Sequence, residues 1–134
     1  MKQLLSREDL LVQIGEIQFR PDLASDLDVY LENYLYTKDL EMITVLLRSD
    51  ANPNPKSDLD CWLQYFLHEY ESSRTLHGEI ILTMVETLLK YGANPNRVWA
   101  NNQRAYDYAI DYKIEPFALL LEKYGANTEV REYI

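Results

Sequence analysis

Residues 88–96 read LLKYGANPN, and residues 46–54 carry nearly the same phrase, LLRSDANPN. A third copy, LLLEKYGANTE, occupies residues 119–129. Gly92 and Gly125 lie 33 residues apart, while Asp50, which stands at the equivalent place in the first copy, precedes Gly92 by 42. The chain therefore repeats with a 33-residue period, lengthened once by nine residues, and the repeated phrase has a physical meaning. Paired leucines (Leu46/Leu47, Leu88/Leu89) close the apolar face of a helix, and Arg48, Lys90 and Lys123 complement the negative end of its dipole. Gly92 and Gly125 fall where a left-handed residue ends a helix. The Ala-Asn-Pro-Asn that follows holds turn residues and a proline that blocks further helix.

Working back from each stop, the pattern predicts two short helices per repeat. Residues 24–36 and 39–48 form the first pair, and residues 104–112 and 115–123 the last, with Pro116 suited to a first helical turn. The middle pair is expected at 57–70 and 77–91, joined by residues 71–76, which hold most of the nine extra residues. Ser6 and Asp9 have capping-box spacing and predict a further helix from residue 6.

These features resemble the ankyrin-repeat family. The resemblance rests on the 33-residue spacing, the LLxxGANPN helix end, and AYDYAIDY at residues 105–112, where Ala105, Tyr106 and Ala109 take the Pro, Leu and first Ala positions of the family's TPLHxAAxxG helix. It covers residues 24–129. It implies an all-α fold: an ankyrin-like solenoid of about three helix pairs, with an N-terminal capping helix and projecting loops or short hairpins. One domain spans 1–134, with a cap at 6–20, repeats at 24–54, 57–96 and 97–129, and a tail at 130–134. Helix pairs of this kind bury their apolar faces only by stacking on neighbours.

Composition narrows the function. With 22 acidic and 13 basic residues the chain has a formal charge of −9, which argues against nucleic acid or an anionic membrane surface as partner. One cysteine cannot form an internal disulfide, and no apolar run is long enough to span a membrane; a cytoplasmic protein is expected, monomeric when free. Cys61 and His68, seven residues apart, would lie two turns apart on one helix, about 10 Å, too far for a nucleophile and its base. A zinc site from Cys61, His68 and His77 lacks a fourth soft ligand. Asp50-x-Asn52-x-Asn54 imitates the start of a calcium loop but meets Pro55 and Cys61 where glycine and glutamate are required. Four glycines leave little material for a phosphate cradle. No catalytic, cofactor-binding or metal residue is assigned.

Two surfaces are expected to bind a partner protein. One is the loops, with Lys56 and Asp58 after the first stop and Arg97, Trp99, Asn101 and Arg104 after the second; tryptophan and arginine are enriched at interface hot spots. The other is the outward face of each first helix, which the resemblance makes the lining of a concave groove: Asn33 and Tyr36, then Tyr65, His68 and Glu69, then Tyr108, Asp111 and Tyr112. An acidic segment adds Asp26, Asp28 and Glu32, within a stretch from 22 to 41 that carries six acids and one base. Such a patch steers a basic partner. The expected function is a non-catalytic protein-binding module. Within that class the reading is a small bacterial immunity or antitoxin-like protein that neutralises a basic toxin, a nuclease being one such toxin. The alternative is a generic adaptor or chaperone-like binder without toxin neutralisation.

Overall fold

The computed structural model of the chain describes residues 4–17, 19, 27–54, 62–98 and 103–129, of which 73–77 by backbone alone. These residues form six helices: α1 (Arg7–Glu16), α2 (Leu27–Thr37), α3 (Leu40–Arg48), α4 (Trp62–Lys90), α5 (Ala105–Asp111) and α6 (Glu115–Lys123). Among them there is no strand, and one antiparallel bridge pairs Val98 with Arg104. The all-α expectation holds. The chain divides into two compact units, Met1–Asn52 and Pro53–Ile134.

In the first unit, α2 and α3 fold back on each other across a two-residue connection. Their facing sides bury Leu27, Leu31, Leu35, Met42, Ile43 and Leu46 almost completely. Asp39 caps α3 by accepting the Met42 N–H at 3.2 Å. The predicted capping interaction starts α1, where Ser6 Oγ accepts the Asp9 N–H at 3.2 Å. Leu10 of α1 is fully buried, and Arg7 reaches Glu41 at 2.9 Å and Asp39 at 3.5 Å.

The second unit departs from expectation. Residues 71–76 do not join two helices; α4 runs unbroken for 29 residues, about 44 Å at 1.5 Å per residue. Its apolar positions explain this. Leu63, Phe66, Leu67 and Tyr70 are buried, and so are Ile81, Met84, Val85 and Leu88. Tyr70 and Ile81 are 11 residues apart, just over three whole turns, so the buried face keeps its phase through the polar stretch. Ser72 also returns its hydroxyl to the His68 carbonyl at 3.0 Å, which satisfies a polar group without leaving the helix. The middle repeat is therefore one helix within residues 62–90, and the helix pair expected there is not formed. Residues 57–61 lie outside the described residues. Against α4 pack α5 and α6, with the Tyr70 and Phe117 rings edge to face at 5.0 Å and Lys123 bonded to Glu86 at 2.8 Å.

The helix stops match the sequence reading in detail. At Gly92 and Gly125, φ is +106° and +92°. The residue after each glycine donates its N–H five residues back (Ala93 to Leu88, 2.9 Å; Ala126 to Leu121, 2.9 Å), which is a Schellman closure. Asp50 adopts φ +73° and Ala51 closes on Leu46 in the same way. The stops after α2 and α5 fall at the expected junctions, but the left-handed conformation of Lys38 (φ +60°) and Lys113 (φ +56°) there was not foreseen. The tail, 130–134, lies outside the described residues.

Candidate functional site

On the first half of α4, Tyr65, His68, Glu69 and Ser72 recur at helical spacing on one side, with Tyr65 and His68 exposed and Glu69 half-buried. Tyr65 is held by its own helix, edge-on to Trp62 at 6.1 Å and to Phe66 at 5.1 Å. Opposite stands α5, which contributes Tyr108 and Asp111, with Tyr112 at its C-cap. Of these, His68, Tyr108 and Tyr112 meet at one point, together with Glu71. The Tyr108 hydroxyl donates to Glu71 Oε2 at 2.5 Å and lies 3.0 Å from His68 Nδ1. The His68 and Tyr108 rings stand edge to face at 4.8 Å, and Tyr112 stacks on Tyr108 at 4.4 Å with 27° between planes. Asp111 is exposed and accepts from Gln103 Nε2 at 3.3 Å.

Burial pushes the Tyr108 phenol well above its ordinary range, and the hydrogen bond to the Glu71 carboxylate and that carboxylate's charge push in the same direction. The hydroxyl therefore stays a donor to Glu71 throughout the physiological range. Tyr108 was expected on the open groove surface, but only 4% of it is exposed. It is the enclosed centre of the cluster, and Tyr112 beside it, 55% exposed, is the surface group. Glu71 was missed because it was assigned to a joining loop. On an unbroken helix it sits three residues after His68, one turn along the same face.

Arg104 is a second correction. Expected in a projecting loop, it is 5% exposed. Its guanidinium grips Asp107 through two bonds, Nε to Oδ2 at 3.0 Å and Nη2 to Oδ1 at 2.8 Å. It also donates to the carbonyls of Asn127 at 3.1 Å and Glu129 at 2.9 Å. All this ties α5 to the chain beyond α6. Its role is structural, and neither Asp107 nor Gln103, both buried, was singled out in the sequence.

Arg97 is half-buried beside a depression lined by Trp62, Leu63, Leu88 and Asn94. Its volume of about 10 Å³ is room for one water, so it is no small-molecule pocket. Lys56, Asp58, Trp99 and Asn101 lie outside the described residues, as do Cys61 and the His77 side chain.

In the first unit, Val29, Glu32, Asn33 and Tyr36 recur at the same spacing along α2 and are all exposed. Asp28 is half-buried and engaged in the fold, accepting the Asn52 N–H at 2.7 Å. Asp26 lies outside the described residues. Tyr70, expected in the core, is there at 6% exposure, whereas Tyr34 and Tyr106 are only half-buried.

Among the described residues no three His, Cys, Asp or Glu side chains converge as a metal site would require, and no helix is long and apolar enough to cross a membrane. The geometry offers aromatic surface, carboxylates and hydrogen-bond acceptors on helix faces. Comparison with known protein families, curated proteins and solved structures gives no match to this chain.

Proposed function

We propose that this chain is a non-catalytic protein-binding module of ankyrin-like repeats, its middle repeat drawn out into a single helix. The observation that carries the reading is a recurrence. Tyrosine beside a carboxylate or amide recurs on α2 (exposed Glu32, Asn33 and Tyr36), on α4 (exposed Tyr65 beside half-buried Glu69) and at the end of α5 (exposed Asp111 and Tyr112). Tyrosine suits an interface because it buries a large rigid area at little entropic cost and keeps a polar end.

The partner we infer is a basic protein, and specifically a toxin domain that this protein occludes in the manner of an immunity protein. The formal charge of −9 supports it. An acidic binding face competes with phosphate for the lysines and arginines of a nuclease and speeds encounter at low salt. Co-expression tests the inference: the chain should rescue cells from a toxin domain encoded beside it, and the two should co-purify. A stable partner that has no toxicity would instead make the protein an adaptor.

A further inference from the structure

The contact between α4 and α5 presents an unusual set of groups. Tyr108 Oη has one proton, and the 2.5 Å approach of Glu71 Oε2 commits it there. In the 3.0 Å contact to the same oxygen, His68 Nδ1 must therefore be the donor. That fixes the neutral imidazole as the tautomer with Nε2 unprotonated, an acceptor on an exposed residue. Glu71 is itself exposed and keeps a second carboxylate oxygen beyond the one bonded to Tyr108. Tyr112 covers Tyr108 by stacking and, at 55% exposure, leaves aromatic surface open to solvent. Asp111 adds negative charge one residue away.

We propose that this patch is the recognition point for an arginine side chain carried by the protein partner; the proposal rests on the reading of the chain as a protein-binding module. A guanidinium is planar, permanently charged and rich in N–H donors. It can lie against the Tyr112 ring while donating to the Glu71 carboxylate and to His68 Nε2. A lysine ammonium meets the charge but not the plane-on-plane contact. A small free ligand fits less well, because the patch is open and lacks the enclosing apolar walls of a ligand pocket. The −9 formal charge of the chain favours the same occupant.

The test is an NMR titration of the full chain with three blocked peptides of equal length bearing arginine, lysine or the uncharged isostere citrulline. The arginine peptide should shift the ring signals of His68, Tyr108 and Tyr112 more than any other resonances, with lysine weaker and citrulline silent. Tyr112→Ala should weaken the arginine peptide roughly two- to fivefold, the range of an exposed cation–π contact, in a chain that circular dichroism shows still folded. Shifts confined to α2, or equal responses to arginine and citrulline, would overturn the proposal. A protein partner whose affinity ignores Tyr112→Ala would also overturn it while leaving the broader reading intact. Arginine binding at the patch without any protein partner would uphold the patch and sink the broader reading.

Discussion

Asn54 and Asn94, forty residues apart, are joined by a hydrogen bond of 2.7 Å in which the Asn54 side-chain oxygen accepts the Asn94 backbone N–H. The Asn54 amide donates in turn to the carbonyl of Gly92 at 3.0 Å. Asn96 repeats the arrangement, accepting from Asn127 at 2.7 Å and donating to Gly125 at 3.4 Å. The last asparagine of each Ala-Asn-Pro-Asn thus holds the next helix stop by both of its polar atoms. Asn54→Ala and Asn96→Ala should each lower unfolding free energy by about 1 kcal/mol, since water can partly replace the bonds of an exposed group. Asn54→Asp keeps the acceptor and loses the donor, so denaturant titration should show a smaller loss.

The Arg104–Asp107 pair is buried on both sides, with each side chain 6% exposed. Removing one partner strands a charge. Arg104→Met should cost roughly 3–5 kcal/mol, the usual range for breaking a buried pair. The double variant Arg104→Met/Asp107→Leu should recover part of that loss, although the Asn127 and Glu129 carbonyls still lose their donor. Thermal melts of the three proteins check the order.

How much of this was legible in the sequence depends on the distance over which each feature is decided. Helix stops are local: a left-handed residue followed by Ala-Asn-Pro-Asn suffices, and Gly92 and Gly125 sit where expected. Lys38 and Lys113 hold the same conformation without a glycine to betray it, because closure onto Tyr34 and Ala109 by the residue that follows outweighs the strain. The continuity of α4 was written in the 11-residue interval from Tyr70 to Ile81. Serine and threonine in between, weak helix formers, obscured it. The enclosure of Tyr108 depends on His68 and Glu71 arriving from a different helix, and nothing within residues 104–112 carries that information. The same is true of Arg104, whose partners include carbonyls more than 20 residues away.

Ser72→Pro separates a continuous α4 from two joined helices. In a connecting loop a proline at this position would be nearly neutral. Within a helix it removes one backbone bond and clashes with the carbonyl four residues earlier, costing about 3 kcal/mol or more. Circular dichroism and a denaturation curve should show that loss, against a mild effect for Ser72→Ala.

The left-handed stops that lack glycine offer stabilisation. Asp50 and Lys113 hold φ values of +73° and +56°, a conformation that strains any side chain. Asp50→Gly and Lys113→Gly relieve that strain, offset in part by the greater freedom of glycine in the unfolded chain. Each should add about 0.5–1 kcal/mol, and the two should combine additively because they lie at different helix ends. Melting temperatures of the two single variants and the pair measure this.

Tyr108 gives the fold an alkaline limit whose sign follows from its surroundings. Its pKa is raised above the ordinary 10.0, first by burial and then by the hydrogen bond to Glu71. Below pH 10 the phenol is protonated in both the folded and unfolded chain, and its contribution is fully present. As pH rises past 10, the unfolded chain gives up this proton while the folded chain retains it, so stability falls. Absorbance titration should therefore show the Tyr108 phenol ionising only as the protein unfolds. In Tyr108→Phe that late step should vanish and the alkaline loss of stability should become shallower. Glu71→Gln removes the neighbouring anion and should bring the Tyr108 titration to lower pH. If the late step survives in Tyr108→Phe, it belongs to another tyrosine.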